Sequence, residues 1–283
     1  MTALDITVAS ADDLRLLADW AAAEGWNPGD TDRHAFFATD PQGFLIGRLN
    51  GEPAACVSVV RYGNDFGFLG FYLTRPPLRG KGYGRQLWRA GMSRLAGRNI
   101  GLDGVVAQQA NYRTCGFRSV WTNVRYEGNP TGHPVPPPPG LTLTDARALP
   151  FTQLAAYDRR FFPTARDSFL ASWITAPQRT ALAALQDGEL CGLAVLREAR
   201  TSSRLGPLYA ATPEIAATLI HTLAATAPST PMAIDVPHLN PHAAHLMSRL
   251  GLTPTFETAR MYTGPTPTTD HPSLYGITSL ELG

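Results

Sequence analysis

Cysteine is scarce in this chain of 283 residues: Cys56, Cys115 and Cys191 are too few and too far apart for a disulfide framework or a metal-binding pair. Each sits in an apolar stretch, which points to a reducing compartment. Neither sign of charge is in excess, with 24 lysines and arginines against 23 aspartates and glutamates. No global field would therefore hold nucleic acid or an anionic membrane. Apolar runs of bilayer length are absent, and the opening MTALDITVASADDLRLL carries acids where a secretory signal needs a basic segment before an apolar core. The expectation is a soluble cytoplasmic protein, monomeric or homodimeric, without nucleic-acid or membrane partners.

What is present is a hydrophobic content of 44%, enough for a large core, in a length better suited to two domains than to one. Residues 128–140, GNPTGHPVPPPPG, separate nearly equal halves. Four consecutive prolines supply no ladder hydrogen bonds and favour an extended spacer, a ligand for an SH3-type partner being the other use of such a run. The expected division is 1–127, a Pro-rich linker at 128–140, and 141–283. In the first half, 4–8 reads as a strand, and Ser10 with Asp13 has the form of a helix N-cap before LRLLADWAAAEG. A short helix over 32–39 follows, then strands 44–49 and 54–62 flanking an Asn50-Gly51 hairpin turn. A strand over 66–73, a helix over 83–95, a strand over 100–105, a short helix over 107–115 and a strand over 117–126 close the unit.

The pattern repeats at an offset of about 136 residues. Ile6 aligns with Leu143, Asn50-Gly51 with Asp187-Gly188, and FLGFYL around Gly70 with RLGPLYA around Gly206. Gly116-Phe117 aligns with Gly251-Leu252, and Tyr126-Glu-Gly with Tyr262-Thr-Gly. Five landmarks in order favour a duplication over the chance agreement of two α/β halves.

Between the strand ending at Leu73 and the helix starting near Tyr83 lies Arg79-Gly80-Lys81-Gly82-Tyr83-Gly84. Glycines at alternate positions let backbone N–H groups converge, and a helix N-terminus adds unpaired donors and partial positive charge. Such a loop matches a pyrophosphate, although a glycine-rich turn can also be purely structural. It lacks the Gly-Lys-Ser/Thr ending of a Walker loop and the Gly-x-Gly-x-x-Gly of a dinucleotide fold.

Arg79, Gly82 and Gly84 fit the pattern Gln/Arg-x-x-Gly-x-Gly/Ala, and Tyr112-Arg-Thr-Cys-Gly116-Phe117 fits Tyr-x-x-x-Gly-Phe. In that order the two motifs resemble the GNAT acetyltransferases. EGWNPGD at 24–30, FGFLGFYL, GLDGVVAQQANY at 101–112 and the closing YGITSLELG look like a tandem GNAT subfamily with a divergent second domain. The resemblance implies an α/β (α+β) chain of two tandem GNAT-like domains, each a mixed, mostly antiparallel twisted sheet flanked by helices. It implies acetyl-CoA as acyl donor, no metal, and an amine on a small molecule or protein as acceptor.

By the same resemblance, Arg79, Gly80, Lys81, Gly82, Tyr83 and Gly84 bind the cofactor, and the backbone of Phe71, Tyr72 and Leu73 polarises the thioester carbonyl. Tyr112 stands where the family places a phenol near the coenzyme A sulfur, the position of a general acid; its other reading is a core tyrosine. Asp103 and Glu24 are the candidate bases, against the reading that they are turn-forming or solvated carboxylates. Trp26 and Asn27, in the turn after Glu24, are candidates for the acceptor pocket. The alternative function is a binding protein that senses acetyl-CoA or another acyl-CoA without turning it over.

The second half has no glycine between Gly206 and Gly251, and Met247 stands where Tyr112 stands in the first. A thioether donates no proton, so this half is expected to be structural or to complete an acceptor pocket or dimer interface. His238, His242 and His245, with Asp235 upstream, have helical spacing that zinc could use, but no cysteine is near and solvated or capping histidines are the commoner reading.

Overall fold

The computed structural model describes residues 3–131, 136–227 and 230–283; residues 132–135 of the expected linker lie outside them. The first half forms β1 (Asp5–Val8), α1 (Asp13–Ala23), α2 (Asp32–Thr39), β2 (Phe44–Leu49), β3 (Glu52–Tyr62), β4 (Phe66–Thr74), α3 (Tyr83–Arg94), β5 (Asn99–Val105), α4 (Gln109–Thr114) and β6 (Arg118–Gly128). The second forms β7 (Leu141–Asp145), α5 (Phe151–Asp158), α6 (Asp167–Thr175), β8 (Arg179–Gln186), β9 (Glu189–Arg197) and β10 (Ser203–Ala210). It continues through α7 (Pro213–Ala224), β11 (Met232–Pro237), α8 (Pro241–Arg249), β12 (Thr253–Tyr262) and β13 (Leu274–Gly276).

Local chemistry accounts for the early elements. The Ser10 hydroxyl accepts from the Asp13 N–H at 3.1 Å while the Asp13 carboxylate accepts from the Ser10 N–H at 2.9 Å, a reciprocal cap that starts α1. Asn50 and Gly51 take positive φ of 52° and 85°, the two-residue turn that joins β2 to β3.

All strands join one sheet in the order β1-β2-β3-β4-β5-β12-β6-β11-β10-β9-β8-β7, with β13 added against β10. Read from either end, the order places first-half strands opposite their second-half counterparts. Its centre is an exchange: β12 lies beside β5 and β6 beside β11, so each half completes its sheet with the other half's last strand. The proline-rich segment divides the chain, but the boundaries 1–127 and 141–283 do not divide the sheet.

On one face α1, α2, α5 and α6 share a single core with Phe36, Phe71, Phe169 and Trp173 at its middle. The other face carries two separate cores, one under α3 and one under α7 and α8. Buried ion pairs cross between the halves. Asp32 accepts from Arg179 at 2.7 Å and from Arg197 at 3.1 Å, and Asp235 accepts from Arg125 at 2.8 Å and from Arg204. Arginine suits this setting because its flat guanidinium also stacks, here with Arg179 and Arg197 over Trp173 at 4.1 and 4.6 Å.

Candidate active site

The parallel pairing of β4 with β5 runs from Phe66 and Asn99 to Leu69 and Leu102 and then stops. Beyond it β4 bulges: Gly70 pairs with Ser58 and Leu73 with Cys56, so two residues, Phe71 and Tyr72, oppose Val57 alone. Phe71 sits at φ 43°, a left-handed conformation rarely held by an aromatic residue and one that clusters at functional sites. The bulge carries β4 away from β5 and leaves its backbone from Gly70 to Thr74 without a strand partner on that side. The resulting cleft, of about 610 Å³, is walled by this edge, by the loop before α3, by Tyr112 and by residues 280–281.

The loop has the geometry of an anion cradle. Gly80 and Gly82 take φ of 74° and 79°, and α3 begins at Gly82 with no side-chain cap, so its first N–H groups are left for a ligand. A Cβ on Gly84 would lie 2.9 Å from both the Thr74 and Tyr72 hydroxyls, which explains glycine there. Arg79, Gly80, Gly82, Tyr83, Gly84, Phe71, Tyr72 and Leu73 all line the cleft; Lys81 is exposed and does not.

Tyr112 is 8% exposed, lines the cleft, and stacks on Trp88 at 5.6 Å, an indole that Tyr72 also contacts at 5.3 Å. Its phenol, protonated at neutral pH, is pushed further up by burial, and among the described residues its hydroxyl has no hydrogen-bond partner.

The two carboxylates expected as bases are otherwise engaged. Glu24 lies on the rim in an ion pair with Arg79. Asp103 lines the cleft, but Arg260 holds both its oxygens at 2.8 Å and Asn123 donates to one at 2.7 Å. Burial raises the Asp103 carboxyl against the opposing pull of Arg260. Trp26 lines the cleft, and its carbonyl accepts from Arg125 and Arg204. Asn27 does not reach it: its side chain donates to Ser202 at 2.9 Å and accepts from the Thr201 N–H, pinning a turn at φ 50° against the second half.

Four lining residues come from the second half, Phe256, Thr258, Leu280 and Glu281, and none of them was a candidate site residue. The first two arrive on the exchanged strand β12. Glu281 comes from the closing segment, where a lone acid between Leu280 and Leu282 is the one sequence signal.

The counterpart of this cleft is filled. Parallel pairing of β10 with β11 ends at Leu205 and Ile234, but β13 enters the gap, pairing with β10 at Leu208 and Tyr209 while the Ile277 N–H donates to Asp235 O at 2.9 Å. The following helix α7 is closed by its own Thr212, whose hydroxyl accepts from the Ile215 N–H. The histidine set does not converge with an acid, since Asp235 is bound to two guanidiniums.

A bulged strand parting from its parallel neighbour, facing an uncapped glycine-led helix end, defines an acyl-CoA-type acyltransferase site. The acetyltransferase (GNAT) family pattern matches residues 11–117, and that of an acetyltransferase (GNAT) domain matches 154–276. The chain belongs to the GNAT family, as an acyltransferase with two GNAT domains in tandem. Holothin acyltransferase of Pseudoalteromonas sp. (strain SANK 73390) is 32% identical to it over 276 residues, covering 97% of this chain and 93% of that protein. A solved structure from Pyrococcus horikoshii covers 100% of the chain and is covered to 97%, with a TM-score of 0.82 at 20% identity. A tandem GNAT protein from the clavulanic acid biosynthesis pathway covers 93% and is covered to 99%, with a TM-score of 0.64 at 15% identity. These two likenesses concern the fold. No helix among the described residues is long and apolar enough to cross a membrane.

Proposed function

We propose that this protein transfers the acetyl group of acetyl-CoA to an amine, in the cleft of its first half. The observation that carries the reading is the uncapped N-terminus of α3, with its glycine loop, set against a β4 edge that lacks a strand partner. The pyrophosphate suits Gly80 to Gly84 and Arg79, and pantetheine amides suit the free edge from Gly70 to Thr74, where extended backbone offers donors and acceptors. Bound there, acetyl-CoA supplies an acyl carbon activated by its thiolate leaving group.

The chain's own groups do the rest. Backbone N–H groups around the Phe71 bulge polarise the carbonyl, a task in which side-chain identity matters little. Tyr112, a phenol protonated at neutral pH and pushed further up by burial, delivers a proton to the departing sulfur. Trp26 and Phe256 offer apolar walls to the acceptor, and the second half supplies the far side of the pocket. On this reading residues 1–127 carry the donor site and 141–283 support the acceptor. Holothin, the acceptor in the name of the relative, is the first molecule to try.

Calorimetric titration with acetyl-CoA, followed by a thiol-release assay with added amines, tests the reading. One site per chain and amine-dependent release are expected. No binding would reduce the glycine loop to a turn, and two sites per chain would mean that the second cleft is open.

A further inference from the structure

Residues 274–283 touch both clefts. A Cβ on Gly206 would lie 2.4 Å from Ile277 O, and one on Gly70, its counterpart in the repeat, 2.1 Å from Glu281 O. The same segment thus presses on the equivalent glycine of each half, closing one cleft with β13 and lining the other with Glu281. It is fixed in place: Tyr62 donates to Leu282 O at 3.0 Å, Leu282 N–H to the Ser279 hydroxyl at 3.1 Å, and Arg166 to Gly283 O at 2.8 Å.

Glu281 is 2% exposed, and among the described residues neither carboxylate oxygen has a hydrogen-bond partner. The Thr258 hydroxyl, also buried and on the cleft wall, has none either. A buried carboxylate without a donor is costly and is retained where a ligand supplies the donor. Both bases expected from the sequence are held in hydrogen-bonded ion pairs with arginines, whereas Glu281 has arginines near it but no hydrogen bond to any of them among the described residues.

We propose that Glu281 is the general base of the acetyl transfer and that it receives the ammonium group of an alkylamine acceptor. The inference rests on the acetyl-transfer reading of the same cleft. Glu281 takes one ammonium proton and becomes the neutral acid; the freed nitrogen lone pair forms the C–N bond to the acetyl carbon as the C–S bond breaks. The sulfur takes the Tyr112 proton, the phenolate recovers a proton from the acylated nitrogen, and Glu281 releases its own to solvent. One proton leaves per turnover.

The charged groups facing Glu281 are Arg204 of β10, Asp32 of α2, Arg197 of β9 and Arg125 of β6; burial outweighs the arginines and raises its carboxyl. A raised acid destabilises the fold once it ionises, so Glu281→Gln should fold at least as well as the parent at neutral pH.

The test compares the parent, Glu281→Gln and Glu281→Asp in thiol release with tyramine, an alkylammonium, and p-anisidine, an arylamine uncharged at neutral pH. With tyramine, Glu281→Gln should lose about 100-fold or more in kcat/KM, and its remaining rate should follow the free-amine fraction alone, without the inflection contributed by the Glu281 carboxyl. The loss should be smaller with p-anisidine, Glu281→Asp should recover part of the rate, and acetyl-CoA affinity and Tm should not fall. Undiminished tyramine turnover in Glu281→Gln overturns the proposal, as does an equal loss with both amines accompanied by lost acetyl-CoA binding. A parent enzyme that binds acetyl-CoA but acetylates neither amine instead overturns the acetyl-transfer reading, and this inference with it.

Discussion

The two halves place the same strands in the same order, each with a parallel pair that parts at its middle, yet one gap is a cleft of about 610 Å³ and the other holds β13. Two local choices separate them. In the first half the helix after the split starts on glycines and leaves its N–H groups uncapped; in the second, Thr212 caps it and Pro213 follows. A duplicated fold can keep its architecture on both sides while only one side keeps a free strand edge and free helix donors.

The largest effect that would break this contrast is at Gly84. Glutamate there meets the Thr74 and Tyr72 hydroxyls and places a negative charge at the helix end, so Gly84→Glu should weaken acetyl-CoA binding beyond calorimetric detection. Residual binding at one site per chain would move the donor site elsewhere.

Next is the ion pair that joins the halves. Asp235 is buried between Arg125 and Arg204; burial alone would raise its carboxyl, and the two guanidiniums hold it below the ordinary value of 3.8. Asp235→Asn leaves two arginines uncompensated and should cost about 3–5 kcal/mol in chemical denaturation. The sign for pH follows from the lowered value: the stabilisation is present above about pH 4 and is lost as pH falls through the folded-state value. An unchanged midpoint would show that the Asp235 ion pairs add nothing to the apolar core, the exchanged strands and the Asp32 pairs that also join the halves.

Third, Tyr112→Phe should lower kcat by roughly ten- to a thousandfold while leaving acetyl-CoA affinity nearly unchanged. Its counterpart, Met247, lies on the fully buried face of α8, so restoring a tyrosine there should add no activity. Equal kcat for Tyr112→Phe would assign the phenol to packing against Trp88.

Much of this was legible because short-range chemistry dictated it. The Asn50-Gly51 turn, the Ser10–Asp13 cap and the glycine loop each state their backbone geometry in adjacent residues, and the repeat landmarks fall at equivalent positions of the two halves. The strand exchange was not legible: β6 closes on Tyr-Glu-Gly and β12 runs into Tyr-Thr-Gly, and both pass from an exposed start to a buried second half, so either could complete either sheet. That omission spread to the site. Arg260 reaches Asp103 only because β12 pairs with β5, in a register that sets the two residues opposite each other. Without the exchange, Asp103 reads as a free carboxylate beside the cleft. Glu281 was hidden for a similar reason: it reaches Gly70 from 211 residues away along the chain, through backbone contact that no local pattern encodes.

The smallest effect asks which of the two closures keeps the second cleft shut. Thr212→Ala removes the side-chain acceptor for the Ile215 N–H and should cost about 1 kcal/mol, a fall of about 2 °C in Tm for a chain of this size. If the strand is the closure, acetyl-CoA stoichiometry in this variant stays at one per chain, because β13 remains hydrogen-bonded to β10 and latched by Asn240, whose amide donates to Pro272 O at 2.9 Å and Leu274 O at 3.2 Å. A second, weak site appearing on loss of the Thr212 hydroxyl alone would mean that capping, rather than the inserted strand, divides the silent half from the active one.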